Sequence, residues 1–246
     1  LLRYLLWTTS GTQLLAFALV MGGWVVSVVL HEFSHAIVAY WGGDHTVKDK
    51  GYLSLNPLRY THPMLSIALP LLFLAMGGIG LPGGAVYIET HRLRSKWWRA
   101  AVSAAGPAAN ALLALVLALP FLLGQIDPYA ILLHYRLDTL TTADIFWASM
   151  AFLAMLQVTA VFFNLLPVPP LDGYGIIEPF LDEGTRLQFA RVGMMGIWIV
   201  FMAFWFIDPI ANAFWERVFA VTGHLDIPAW LVVLGRDLFM FWRLPQ

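Results

Sequence analysis

The sequence predicts an all-α polytopic membrane protein, a transmembrane helical bundle with a short membrane-associated β element. Hydrophobic residues make up 60% of the 246 positions and charged residues only 12%, whereas an average soluble domain carries about 25% charged residues. Mean hydropathy is +0.73. Several runs approach the roughly 20 apolar residues that cross a hydrocarbon core. The net charge of −1 says little by itself. No basic stripe or basic-aromatic patch appears, so nothing argues for a nucleic-acid partner. The lipid bilayer is the partner that composition implies.

The elements follow in order. A first span is predicted over about 12–41, stopped by Gly42-Gly43. Residues 43–62 are polar and turn-rich, and Tyr52-Leu53-Ser54-Leu55 alternates weakly, as a short strand would. Residues 63–81 are apolar but carry Pro70 and Gly77-Gly78; a strand-like Ala85-Val86-Tyr87-Ile88 follows. Spans are predicted over about 100–124 and 144–166, with a polar loop over 125–143 between them. The second of these breaks at Pro167, Pro169 and Pro170, which cannot continue a helix. A polar connection over 171–190 leads to a span over about 191–207 and an apolar extension to 221. The tail over 229–242 carries Arg236-Asp237 and reads as an interfacial helix. The whole of 1–246 reads as one transmembrane domain, with a core over about 15–180 and extra C-terminal helices over 191–246.

Charge bias sets the orientation. If 63–88 dips in and returns, Lys48, Lys50, Arg59, Arg92, Arg94, Lys96, Arg99, Arg186 and Arg191 share one face. Arg136 falls on the other face, with the acidic loop. A full crossing by 63–81 would split the basic set, so the charge rule favours a re-entrant element. The predicted localisation is integral and multi-pass, with the basic face, at which the first span ends, toward the cytoplasmic side.

Chemistry enters at His31-Glu32-Phe33-Ser34-His35, inside the first span. Two histidines four residues apart share one helix face and can grip one metal ion, and the Glu beside the first can take a proton from a metal-bound water. The pattern arises by accident in roughly one in a hundred chains of this length. Ionisable groups within a span are costly and usually functional. A water-activating metal site there suggests hydrolysis of peptide bonds within or near the bilayer.

A catalytic zinc needs three protein ligands and an open position. The chain has no cysteine, so the third ligand is another His or a carboxylate. Asp172 is the leading candidate. It follows the Pro-rich break at the end of a span, although Asp172-Gly173 is also ordinary turn chemistry. Asn110, in Gly106-Pro107-Ala108-Ala109-Asn110, is a carboxamide within a span and needs a partner. It could donate to a substrate carbonyl or developing oxyanion. Gly106, Ala105 and Ala109 read as small residues for close helix packing.

HEFSH at 31–35, GPAAN at 106–110 and NLLPVPPLDG at 164–173, in that order, resemble the site-2 protease family of intramembrane zinc metalloproteases. GYLSLNP at 51–57 is similar as well, and the resemblance covers about 15–180. It implies one Zn2+ per chain on His31, His35 and Asp172, Glu32 as general base, and Asn110 as a catalytic group that helps position the scissile carbonyl. It implies regulated intramembrane proteolysis of a membrane-anchored protein substrate. Family members often carry a PDZ or CBS domain; neither fits here, which points to a minimal form. The competing readings are a non-proteolytic metal-binding membrane scaffold and a metal transporter. A transporter should show repeat symmetry and a second set of intramembrane polar residues, and the sequence shows neither. The oligomeric state is left open.

Overall fold

A computed structural model describes residues 11–56, 86–136, 139–193 and 195–240. Helix α1, Gly11–Gly42, has 32 residues and Glu32 as its one charged side chain. At 1.5 Å per residue it is about 48 Å long, enough to cross a bilayer and emerge. It stops where predicted: Gly43 takes a φ of +118°, a conformation that suits a residue without Cβ. A short helix α2, Thr46–Asp49, and a 3-10 turn, Thr90–Arg92, lie beyond it.

Helix α3, Lys96–Leu122, starts at Ser95, whose Oγ accepts the Trp98 N–H. Helix α4, Pro128–Arg136, occupies the middle of the expected 125–143 loop. Asp127 caps it by accepting the Tyr129 N–H at 2.9 Å, and Pro128 suits a first helical position. Helix α5, Thr142–Asn164, opens on a capping box between Thr141 and Asp144. Two further short helices, α6, Asp172–Ile177, and α7, Glu183–Val192, fill the expected polar connection. Helices α8, Met195–Phe206, α9, Asp208–His224, and α10, Ala229–Phe239, complete the chain. Helices α1, α3 and α5 are each long and apolar enough to cross a membrane. Among the described residues the number of candidate spans rises from 3 to as many as 5 if the bent pairs α7–α8 and α9–α10 each count as one.

Helix α5 is the hub. It packs on α1, α3, α9 and α10, and 72% of its span-length window is buried, against 39% for α1 and 33% for α3. A hydrophobic cluster including Trp24, Phe121, Phe152, Phe163, Leu231 and Phe239 surrounds it. The C-terminal tail is therefore a core helix: Leu231, Val232 and Phe239 of α10 are fully buried. A smaller cluster, including Ala36, Ala39, Val47, Tyr52 and Val102, lies under the C-terminal end of α1. By contrast, Trp198, Ile199, Met202, Trp205 and Phe206 of α8 are exposed. Contiguous apolar surface of this kind marks a membrane interaction.

The predicted β element is corrected here: the described residues are helical or irregular, with no strand. At 52–55 local turns use the backbone groups, with the Tyr52 N–H on the Val47 carbonyl and the Ser54 Oγ on the Gly51 carbonyl. Residues 86–89 are irregular, and side chains take up several of their backbone groups, while the Glu89 carbonyl accepts the Arg92 N–H of the following 3-10 turn. Val86 and Glu89 donate their N–H groups to Glu32 and Asp44, and the Tyr87 carbonyl accepts from Lys50. Ala85 and the predicted re-entrant stretch at 63–81 lie outside the described residues, as do Arg59 and His62.

Candidate metal centre

Helical spacing puts Ser27, His31 and His35 on one stripe of α1, one turn apart. Helix α3 lies along that stripe with Gly106 against the histidines. A Cβ on Gly106 would sit 2.5 Å from His31 Nε2 and closer still to His35 Nε2. The absent side chain is what lets the α3 backbone lie over both rings.

Asp172 arrives from the other side. Helix α5 ends at Asn164, and the Pro-rich segment reverses the chain through Val168 N–H to Leu166 O and Leu171 N–H to Val168 O, both 2.8 Å. Buried Leu171 is extended (ψ 156°), and Asp172 starts α6. Gly173 packs on the Leu165 and Leu166 carbonyls, where a Cβ would clash. The turn is thus fixed on both sides of the carboxylate.

The three predicted ligands meet. His31 Nε2 lies 3.2 Å from Asp172 Oδ2, His35 Nε2 lies 3.4 Å from Asp172 Oδ1, and the two Nε2 atoms are 3.1 Å apart. Their protonation follows from the far sides of the rings. His31 Nδ1 is 2.6 Å from Asn110 Oδ1, and His35 Nδ1 is 2.6 Å from the Val102 carbonyl. A carbonyl oxygen only accepts, so each Nδ1 carries the hydrogen and each Nε2 carries a lone pair. Two lone pairs and a carboxylate therefore converge with no donor among them, and Asp172 Oδ2 is buried without a hydrogen-bond partner. Such a set is unfavourable unless a cation sits within it. Ligand atoms about 2.0–2.1 Å from a tetrahedral zinc stand about 3.3–3.4 Å apart, close to the separations seen. The donor chemistry and the spacing both fit zinc.

Glu32 is buried next to His31, and its Oε2 accepts the Val86 N–H at 3.2 Å. Asn110 is buried too, but its carboxamide is engaged on both sides. Oδ1 faces His31, while Nδ2 donates to Ser27 Oγ at 3.1 Å and to Gln157 Oε1 at 2.8 Å. Sequence reasoning did not single out Ser27 or Gln157. The available signal was a hydroxyl one turn before His31 and a lone carboxamide in an apolar run.

Comparisons with known proteins agree with this chemistry. The chain is 44% identical over 227 residues to a protein of Mycolicibacterium smegmatis provisionally named zinc metalloprotease Rip2, covering 92% of this chain and 81% of that one. A Mycobacterium tuberculosis protein of the same provisional name is 43% identical over 230 residues, 93% and 82% of the two chains. The chain belongs to the site-2 protease family. A Bacillus subtilis relative, provisionally named zinc metalloprotease YwhC, is 33% identical over 197 residues, 76% and 80% of the two chains. No family model matches, and no solved structure matches. The site-2 protease assignment makes the chain a zinc metalloprotease and a multi-pass membrane protein.

Proposed function

We propose that this chain hydrolyses peptide bonds of membrane-anchored proteins within or beside the bilayer, with the active site opening toward the cytoplasm. The observation that carries this reading is the position of the metal-ligand cluster along α1. His31 lies 11 residues before Gly42, about 16 Å along the helix. That depth is about half of a ~30 Å hydrocarbon core. Lys48, Lys50, Arg92 and Arg94 lie between α1 and α3, and Lys96 and Arg99 in the first turn of α3, at the end of the bundle nearer the site. By the positive-inside rule that end is cytoplasmic.

In this mechanism His31, His35 and Asp172 hold the zinc. When bound, zinc lowers the pKa of water toward ~7 and polarises a carbonyl. Glu32 takes the proton of the attacking water as its oxygen adds to the peptide carbon. Glu32 then returns that proton to the amine nitrogen as the C–N bond breaks. The surrounding helices exclude bulk water and present the pair to a peptide bond entering from the membrane.

The test uses single-span reporter proteins co-reconstituted in liposomes with wild type or Glu32→Gln. Wild type should release fragments whose new termini map within the apolar segment or at its edge. Glu32→Gln should retain zinc and lose turnover by about 100-fold or more. Cleavage confined to water-exposed loops, or full turnover by zinc-loaded Glu32→Gln, would defeat the proposal.

A further inference from the structure

Behind His31 lies a fully buried polar relay formed by three helices: Ser27 of α1, Asn110 of α3 and Gln157 of α5, exposed by 5%, 3% and 1%. These are costly groups to bury, and among the described residues their side chains bond to one another and to His31. Ser27 Oγ donates to Gln157 Oε1, Asn110 Nδ2 donates to both Ser27 Oγ and Gln157 Oε1, and Asn110 Oδ1 accepts from His31 Nδ1. Both amide hydrogens of Asn110 are thus committed within the relay.

A carboxamide can be turned end for end at almost no steric cost, so this relay has two self-consistent polarities. In one, Gln157 presents its oxygen, Asn110 turns its NH2 toward that oxygen, and its own oxygen receives the proton of His31 Nδ1. The Nε2 lone pair then faces Asp172. In the other, Gln157 presents its NH2, Asn110 reverses and donates to Nδ1, and the imidazole proton moves to Nε2. That tautomer cannot ligate through Nε2. We infer that Gln157 and Ser27 are positioning residues: in the polarity the structure shows they take both amide hydrogens of Asn110, which leaves its oxygen for His31 Nδ1 and supports the metal-competent tautomer of His31. Asn110 in this assignment is itself a positioning residue, holding the histidine from behind, and its amide is not a donor to the substrate. The inference rests on the zinc reading of His31, His35 and Asp172.

The test measures zinc affinity by chelator competition on the metal-stripped full chain in detergent. Gln157→Met removes the acceptor at similar volume and should weaken zinc by about 10- to 100-fold, the range for groups that orient a metal ligand. Asn110→Asp presents oxygens on both sides, so its polarity no longer depends on Gln157. In the Asn110→Asp background the Gln157→Met penalty should shrink to within about twofold. A merely structural role for Gln157 would leave the penalty in place. Ser27→Ala is the milder variant if Gln157→Met does not fold, with an expected loss of about threefold to tenfold. Folded Gln157→Met or Ser27→Ala with wild-type affinity, or a Gln157→Met penalty undiminished in the Asn110→Asp background, would overturn the inference. Wild-type protein that takes up no zinc, or Asp172→Ala that binds it as well as wild type, would instead remove the metal site on which the inference rests.

Discussion

At Gly106 a single hydrogen atom separates a metal site from a steric clash. Ala is favoured over Gly in a helix interior by about 1 kcal/mol, so Gly106→Ala should help α3 as a helix. A Cβ there nevertheless falls 2.5 Å from His31 Nε2 and intrudes on His35. Both rings are tied at Nδ1, to Asn110 and to the Val102 carbonyl, so they cannot swing aside without breaking a buried hydrogen bond. Gly106→Ala is therefore expected to keep its helical circular dichroism and to bind zinc about tenfold more weakly or worse. Chelator competition reads this directly; unchanged affinity would mean the rings are freer than their bonds indicate. The sequence marked Gly106 only as a small residue for helix packing. His31, Glu32 and His35 were legible because their relation is local, one helical turn. The partners of Gly106, Ser27 and Gln157 were not, because they depend on which helices cross and at what rotation.

At the scale of elements, the segment after residue 85 is a strap tied to the end of α1. Asp44, fully buried, accepts the Glu89 N–H at 2.8 Å, and the Gly42 carbonyl accepts the Arg94 N–H at 2.9 Å. Lys50 reaches the Tyr87 carbonyl at 3.2 Å and Glu89 Oε1 at 2.9 Å, while Arg92 pairs with Glu89 Oε2. The alternating residues Val86 to Ile88 read as a strand in the sequence, but alternation cannot reveal that their polar groups bond to side chains 37 to 54 positions away. Hydrogen bonds from Arg92 first, then Lys50, hold the Glu89 carboxyl down from 4.5 to about 2. Its folded value lies below its unfolded one, so its contribution is complete above pH 4.5 and is lost as pH falls toward 2. The chain has no cysteine, so a spin label at Thr90→Cys reports on the strap alone. Its mobility should stay constant from pH 8 to about 5 and rise below about 4.5, whereas adding Glu89→Gln should make it mobile already at about pH 7. Equal mobility of the two at neutral pH would show that the ion pairs do not hold the strap.

For the whole molecule, the question is whether the C-terminal helices are part of the catalytic machine or a brace around it. Span positions were readable from hydropathy, and α1, α3 and α5 begin and end within a few residues of the prediction. Less legible was which helix lies at the centre, since an apolar run in lipid looks the same whether it faces lipid or protein. Helix α10 resembled an interfacial segment because of Arg236-Asp237, yet those two are exposed and paired with each other while Leu231, Val232 and Phe239 face inward. It docks where Gly235 lies against Ala148 of α5; a Cβ there would strike the Ala148 carbonyl and come within 2.9 Å of Phe152 Cβ. In lipid this docking draws on close packing rather than on escape from water, so overpacking the contact should be felt in full. Gly235→Val is expected to destabilise the folded protein by about 1–3 kcal/mol, read as a lowered unfolding midpoint in mixed micelles. Gln157 is nine residues further along α5, about 14 Å from Ala148, so zinc affinity should stay within about twofold. Lower stability with intact zinc binding would mean a core over about 15–180 builds the site and the later helices brace it. Loss of zinc together with stability would mean that α10 holds α5 in the register at which Gln157 reaches Asn110, joining the helices packed on α5 into one catalytic unit.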